Sequence, residues 1–242
     1  MQKLGQHFLK DSAVAERMVK YAKVCDKDVV LEIGPGYGII TEQLAEKAKK
    51  VIAIEKDASL AEQLKRKKLE NVKIITGDAL KINWPKFNKI IANLPFNISS
   101  PLTFKLFNCS WDSAVLIYQK EVGQRFVAKL GDKNYSRLTV AANYYCNAEI
   151  LEAISRGKIW PVPKVDCIIL RLKQKKPEFA TDEFFWSAVA KLFQHKRKLV
   201  RAALKVAKFD SNVIKKLPAQ LAEKRVVRCS LADFKKISDE LR

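Results

Sequence analysis

From residue 29 to about residue 130, short β-branched and aliphatic runs alternate with stretches in which apolar positions recur every three or four residues. The runs have the length of buried strands, and the intervening period is that of helices laid across them. The pattern therefore predicts a parallel sheet wrapped by crossover helices. The predicted strands are VVLEIG (29–34), VIAIEK (51–56), VKIITG (72–77), KIIANL (89–94) and AVLIYQ (114–119), separated by helical GIITEQLAEKAKK, ASLAEQLKRKK, SSPLTFKLF and EVGQRFVAKL. Ahead of the first strand, DSAVAERMVKYA offers a capping Asp11 or Ser12 and places Val14, Met18 and Tyr21 at helical spacing.

Past residue 130 the pattern changes. GDKNYSRL (131–138) reads as an exposed polar loop and TVAANYYC as a helix. AEILEAIS and VDCIILRLK alternate like half-exposed strands around IWPVPKVD, whose prolines forbid a helix, so they are expected to close the sheet edge as a hairpin. From KKPEF onward the pattern is entirely helical, with Thr181 expected to cap DEFFWSAVAKLFQHKRKLVRAALK and Ser230 with Asp233 to cap FKKISDELR. The expected architecture is a Rossmann-like, doubly wound, mostly parallel α/β domain over residues 1–175. A small all-helical domain over residues 176–242 follows it.

Composition adds one strong fact, which is charge. The chain carries 46 Lys+Arg against 26 Asp+Glu, a formal +20. That exceeds what solubility requires and points to a polyanionic partner. Between Lys173 and Lys208 ten basic residues face three acidic ones, so the helical appendage is itself basic. The five cysteines are scattered, odd in number and form no CxxC pair, which argues for reduced thiols and against a zinc site. His7 and His195 are the only histidines, leaving little from which to build a metal site or a histidine relay. With no apolar leader and no run of about 18 apolar residues, the expectation is a soluble cytoplasmic protein, independent of membranes.

The candidate chemistry sits at the strand ends, where open α/β sheets bind ligands. In EIGPGYG (32–38), Gly34, Gly36 and Gly38 let the backbone approach a ligand. The spacing is G-x-G-x-G and lacks the G-x-G-x-x-G of a pyrophosphate site; with Glu32 just before it, the loop suits a cofactor with a cationic or amino-acid end. Glu55, closing the second strand, is placed for ribose hydroxyls, and Asp78, after the third, for an adenine amine, with Ala79 against the ring. The fourth strand leaves the sheet through NLPF (93–96). An adenine amine is a poor nucleophile because its lone pair is delocalised into the ring. The Asn93 side-chain oxygen and the Leu94 carbonyl could each accept one amine hydrogen and draw the nitrogen toward tetrahedral geometry. Pro95 would keep Leu94 extended, and Phe96 would offer a stacking face.

These residues resemble the small-subunit ribosomal RNA adenine dimethyltransferases, a family of class I S-adenosylmethionine-dependent methyltransferases. The resemblance runs through GQHFLKD, LEIGPGYGIITEQLAEKAKKVIAIEKD, GDAL, NLPFNISSPLTFKLF, QKEVGQRFVAKLGDKNYSRLTVAANYY, VPKVDCIILRL and FQHKRKLVRAAL. It implies that Gln6, His7 and Leu9 fold over the methionine part of the cofactor, that Gly34 and Gly36 line its loop, and that Glu55, Asp78 and Asn93 bind it. It implies two methyls on each of two adjacent adenosines in the terminal hairpin of small-subunit RNA. The appendage would dock on the immature small ribosomal subunit, with a basic HKRKLVR helix presenting Lys196, Arg197, Lys198 and Arg201 to phosphates and the enzyme acting as a monomer. Three positions depart from the family pattern: His7 replaces Asn, Phe96 replaces Tyr, and Cys167 replaces Ser. The short appendage and high charge resemble archaeal members more than bacterial ones.

Without the resemblance, three rivals stand beside this reading. A nicotinamide-dependent oxidoreductase explains the glycines and Glu55 but not NLPF or the charge. A non-catalytic assembly factor would use the shape alone. A DNA adenine methyltransferase would share the amine chemistry.

Overall fold

The computed structural model describes residues 6–242. Its strands are β1 (Phe8–Leu9), β2 (Val29–Ile33), β3 (Lys50–Glu55), β4 (Val72–Thr76), β5 (Lys89–Asn93), β6 (Ser113–Gln119), β7 (Cys146–Ile154), β8 (Ile159–Trp160) and β9 (Cys167–Gln174). Seven of them form one sheet in the order β4-β3-β2-β5-β6-β9-β7. The first five in that order run parallel, and β9 pairs antiparallel with β6. The five apolar runs are thus the five parallel strands, and the later pair stands at the sheet edge. Not foreseen was a small second sheet, in which β1 pairs antiparallel with β8, Phe8 opposite Trp160 and Leu9 opposite Ile159.

The helices are α1 (Ser12–Tyr21), α2 (Ile39–Ala45), α3 (Ala58–Arg66), α4 (Ser99–Phe107), α5 (Lys120–Phe126), α6 (Arg137–Tyr145), α7 (Glu183–Phe193), α8 (Val200–Val206), α9 (Ser211–Lys216), α10 (Ala219–Ala222) and α11 (Leu231–Glu240). Asp11, not Ser12, caps α1 by accepting from the Val14 amide. The inward faces of α1 and α2 bury Val14, Met18 and Leu44 against Val30, Val51, Ile91 and Val115 of the sheet. Each such side chain is worth about 1.5–3 kcal/mol on burial, which holds the strand ends carrying the site in register.

The chain divides into two compact units, and not by one cut. The first gathers Met1–Gly123 with Asn147–Gln174, the second Gln124–Cys146 with Lys175–Arg242. The expected boundary after residue 175 assigned residues 124–146 to the α/β part. In the structure α6 instead belongs with the C-terminal helices: Val140 shares a core with Phe185, Leu192, Val200 and Phe234, and the Tyr144 hydroxyl donates to the Phe179 carbonyl. The stretch 131–138 is likewise not simply an exposed loop. Tyr135 is buried and its hydroxyl donates to the Cys229 carbonyl at 2.7 Å.

Two details of the helical unit correct the sequence expectation. Asp182 caps α7, accepting from the Phe185 amide, whereas the Thr181 hydroxyl bonds to Tyr144 and Trp186. Nor is HKRK helical. After α7 the amides of Val200, Val226 and Val227 donate to the carbonyls of Lys224, Lys198 and Lys196, and Leu199 bridges Arg225. This cross-chain pairing takes the backbone groups that a continuous helix would have used, and a turn separates α7 from α8. The capping box of Ser230 and Asp233 forms as expected.

Candidate active site

Four parallel strands deliver their ends to one edge of the sheet. After β2 the chain turns through Gly34 and Gly36 at φ of +67° and +58°, a region that side chains other than glycine enter at a cost. At Gly36 the missing side chain also makes room: a Cβ there would lie 2.6 Å from the Phe8 ring. The Gly36 amide donates to Glu55 Oε2 at 3.1 Å, and the Asp57 amide donates to Oε1 at 2.9 Å. The carboxylate at the end of β3 is therefore fixed before any ligand arrives.

Glu32 lies beneath the glycine turn, 1% exposed, and accepts from the Thr41 hydroxyl at 2.7 Å. Burial pushes its carboxyl up to about 8, and the nearby Glu55 adds to the rise. It is a buried acid under the turn, not an obstacle on the ligand side. Asp78 follows β4 and behaves in the opposite way. Its bond from Lys56 Nζ at 3.0 Å, helped by the Leu80 amide, holds it below the usual carboxylate range.

Asn93 ends β5, 7% exposed. Its Nδ2 donates to the His7 carbonyl at 2.8 Å. A carbonyl can only accept, so this bond fixes which way the amide faces. The other end, Oδ1, is buried and has no hydrogen-bond partner among the described residues. Leaving an acceptor so costs on the order of 1–3 kcal/mol, which is the mark of a group waiting for a donor. The His7 ring stacks on Phe96 with centroids 4.9 Å apart, covering one face of that ring. His7 Nδ1 lies 2.7 Å from the Pro161 carbonyl, so that nitrogen carries the proton. The segment 7–11 is held further by the bond from the Lys10 amide to the Lys158 carbonyl and by the Lys158–Asp11 ion pair.

A cavity of about 400 Å³ opens among these groups. Of the residues expected at the site, Gln6, His7, Gly34, Glu55, Asp78, Ala79, Asn93 and Pro95 line it. Leu9, Gly36, Leu94 and Phe96 stand behind the lining: Leu9 and Leu94 are buried, Gly36 holds Glu55, and Phe96 lies under His7. Sequence reading missed Phe8, Lys56, Asp57, Asn97 and Ile98, which also line the cavity. Asp57 and Lys56 sit next to Glu55, and that adjacency was the available signal. Phe8 had none, because it is brought in by pairing with Trp160.

The four basic residues singled out in the helical unit fare differently. Lys196 Nζ donates to the carbonyls of Lys133 and Tyr135, and Arg201 pairs with Glu223 at 2.9 Å. Arg197 and Lys198 are exposed on the turn.

Comparison with known proteins adds to this geometry. The family model described as ribosomal RNA adenine dimethylase matches residues 1–242. A probable ribosomal RNA small subunit methyltransferase A of Thermococcus gammatolerans is 47% identical, over 94% of this chain and 84% of that protein. Its counterpart in Pyrococcus furiosus is 42% identical, over 99% and 91%. A crystal structure of a dimethyladenosine transferase from Plasmodium falciparum superposes with a TM-score of 0.83 at 32% identity, covering 95% of each chain. That of the 23S rRNA methyltransferase ErmE gives 0.71 at 25% identity, over 97% of this chain and 99% of that one.

Proposed function

Because this chain belongs to the ribosomal RNA adenine dimethylase family, we propose that it transfers methyl groups from S-adenosylmethionine to the exocyclic amines of two adjacent adenosines near the 3′ end of small-subunit ribosomal RNA. The observation that carries this reading at the level of chemistry is the Asn93 amide. Its nitrogen is tied to the His7 carbonyl, and its oxygen is buried without a partner among the described residues, beside a cavity it lines.

The residues present fit the cofactor. Two left-handed glycines give a close backbone approach. A carboxylate offers about four acceptor positions, so with two amides already bound, Glu55 retains capacity for ribose hydroxyls. Asp78 and Ala79 would hold the adenine, and Gln6, His7 and Phe8 the methionine end. When bound, S-adenosylmethionine supplies a methyl already activated by its sulfonium centre.

The protein's own work is then positioning. Asn93 Oδ1 and the Leu94 carbonyl accept the two hydrogens of the target amine, localising its lone pair. Pro95 fixes the turn that presents these acceptors, and Phe96 supports the base. Alignment of this kind lowers a barrier by several kcal/mol. The alkylated amine becomes acidic and releases its proton to solvent, so no strong base is required. The +20 charge and the exposed Arg197 and Lys198 suit a particle rich in phosphate, and we assign the immature small ribosomal subunit as the physiological substrate, met by a monomer in the cytoplasm. Among the described residues no helix is long and apolar enough to cross a membrane.

The test is mass spectrometry of nucleosides from unmethylated small subunits incubated with the protein and S-adenosylmethionine. Dimethyladenosine at two neighbouring positions is the expected result. Bound particles with unmodified adenosine would sink the reading in favour of an assembly factor.

A further inference from the structure

Near Phe8, which lines the cavity, the α/β unit exposes large apolar side chains that are more often covered. Tyr37 is 55% exposed, Trp160 44% and Val162 55%. Phe8, which lines the cavity, joins them: its ring lies 4.9 Å from Tyr37 and 6.5 Å from Trp160, the latter pair only 21° from parallel. Pairing of β1 with β8 sets Phe8 opposite Trp160, and the absent Cβ of Gly36 lets the Phe8 ring settle against the glycine turn. The result is a row of rings leading from the cavity to solvent. Nothing in holding the cofactor calls for the two outer rings.

The flanking segments carry more cations than acids. From Ile154 to Val165 the chain carries the exposed Arg156, Lys158 and Lys164. Lys158 is paired with Asp11, and Asp166, the next residue, accepts from the Arg156 amide, which leaves the Arg156 and Lys164 side chains without a carboxylate partner among the described residues. Exposed Lys10 is added from β1's side, its amide bonded to the Lys158 carbonyl. Exposed aromatic faces set among cations are the two components of a surface for single-stranded nucleic acid, one stacking bases and the other following phosphates. An enzyme that acts on a base amine must take that base out of its stack, leaving its neighbours without a stacking partner.

We propose that Trp160 and Tyr37, with the exposed Lys10, Arg156 and Lys164 of the segments that carry β1 and β8, form the surface on which unpaired RNA flanking the target adenosine stacks. This rests on the function proposed above and assigns it a substrate-binding face outside the reacting centre. The surface reads no sequence, since every base has a face to stack. It supplies affinity and holds the strand at the cavity mouth.

The experiment compares wild type, Trp160→Ala and Trp160→Phe in binding to an oligoadenylate of about twelve nucleotides, a length that spans one such site, and to unmethylated small subunits. S-adenosylmethionine affinity is titrated alongside. Trp160→Ala is expected to weaken oligoadenylate binding about tenfold, with an unchanged salt slope because every cation is kept, while Trp160→Phe keeps most of the affinity and cofactor binding stays at the wild-type value. Unchanged oligoadenylate affinity in Trp160→Ala would overturn the proposal. So would a loss confined to whole subunits, which would give the surface to a ribosomal protein, or an equal loss of S-adenosylmethionine affinity, which would make it part of the cofactor site. Absence of dimethyladenosine from the wild type would count against the proposed function alone, because oligoadenylate binding is read independently of transfer.

Discussion

At the scale of single residues, two buried polar side chains, Asn93 and Glu32, carry separate predictions. Asn93 Oδ1 is held ready by a bond on the far side of its own amide. Replacing Asn93 by Ala should lower methyl transfer at least a hundredfold, the usual cost of losing one preorganised polar group at a reacting centre. Cofactor affinity should fall much less, and single-turnover rates beside calorimetry would separate the two. Glu32 makes a different prediction, about pH. Burial raises its carboxyl from 4.5 to about 8, so between those values the folded chain holds a proton that the unfolded chain has released. Stability must therefore fall as pH rises through that window and level off above it. Glu32→Gln, which keeps an oxygen for Thr41, should remove this slope, and the gap between the two proteins should reach at most a few kcal/mol on the order expected for such a shift. Urea midpoints from pH 5 to 9 would measure it.

Between residue and fold, single ties govern how elements present the site. Lys105, at the end of α4, donates to the carbonyls of Ala79, Leu80 and Ile82 at 2.9, 3.0 and 2.5 Å and lies 5.2 Å above the Trp84 ring. Trp84 Nε1 donates to Ala79 as well. The helix that follows Asn-Leu-Pro-Phe thus clamps the turn beyond Asp78. Lys105→Met takes the side-chain donor from the Leu80 and Ile82 carbonyls, leaving Ala79 its bond from Trp84, and should raise the KM for S-adenosylmethionine about tenfold, in line with charge-assisted bonds worth about 1.5–3 kcal/mol, while kcat changes little. Steady-state kinetics would show the split. In the helical unit, Tyr135→Phe removes the bond to Cys229 and should cost about 1–2 kcal/mol, read as a lower denaturation midpoint with an unchanged slope. These ties also explain what the sequence could and could not reveal. Four of the parallel strands were legible because burial on both faces leaves a continuous apolar run, and the edge strand β4 because its β-branched residues remain in a half-buried row. The places of Glu55, Asp78 and Asn93 at the cavity were legible because each stands at or just past a strand end. Tyr135 sat in a polar stretch whose composition outvoted one aromatic. The break at HKRK was hidden because basic residues are good helix formers, and only the pairing of residues 196–200 with 224–227 overrides them.

For the whole molecule, charge is legible as a total but not as an interface. Of the four cations picked out together from sequence, Lys196 and Arg201 are engaged within the helical unit, and only the structure separates them from Arg197 and Lys198. Changing Arg197 and Lys198 to Gln should weaken particle binding and flatten its salt dependence by about one unit for each phosphate no longer neutralised, without changing the denaturation midpoint. Lys196→Gln should lower that midpoint instead. Binding isotherms at several salt concentrations, set beside denaturation curves, distinguish the two. The pairing of β1 with β8 bears on when such an enzyme can first act. Phe8 and His7 are translated well before Trp160 and Pro161, which hold them. At typical synthesis rates of about 5–20 residues per second, the amide of Asn93, once made, waits roughly three to fourteen seconds for the strand that orients it through His7. A nascent chain with its glycine turn already folded is still no methyltransferase, so modification of RNA begins only once most of the polypeptide has been made.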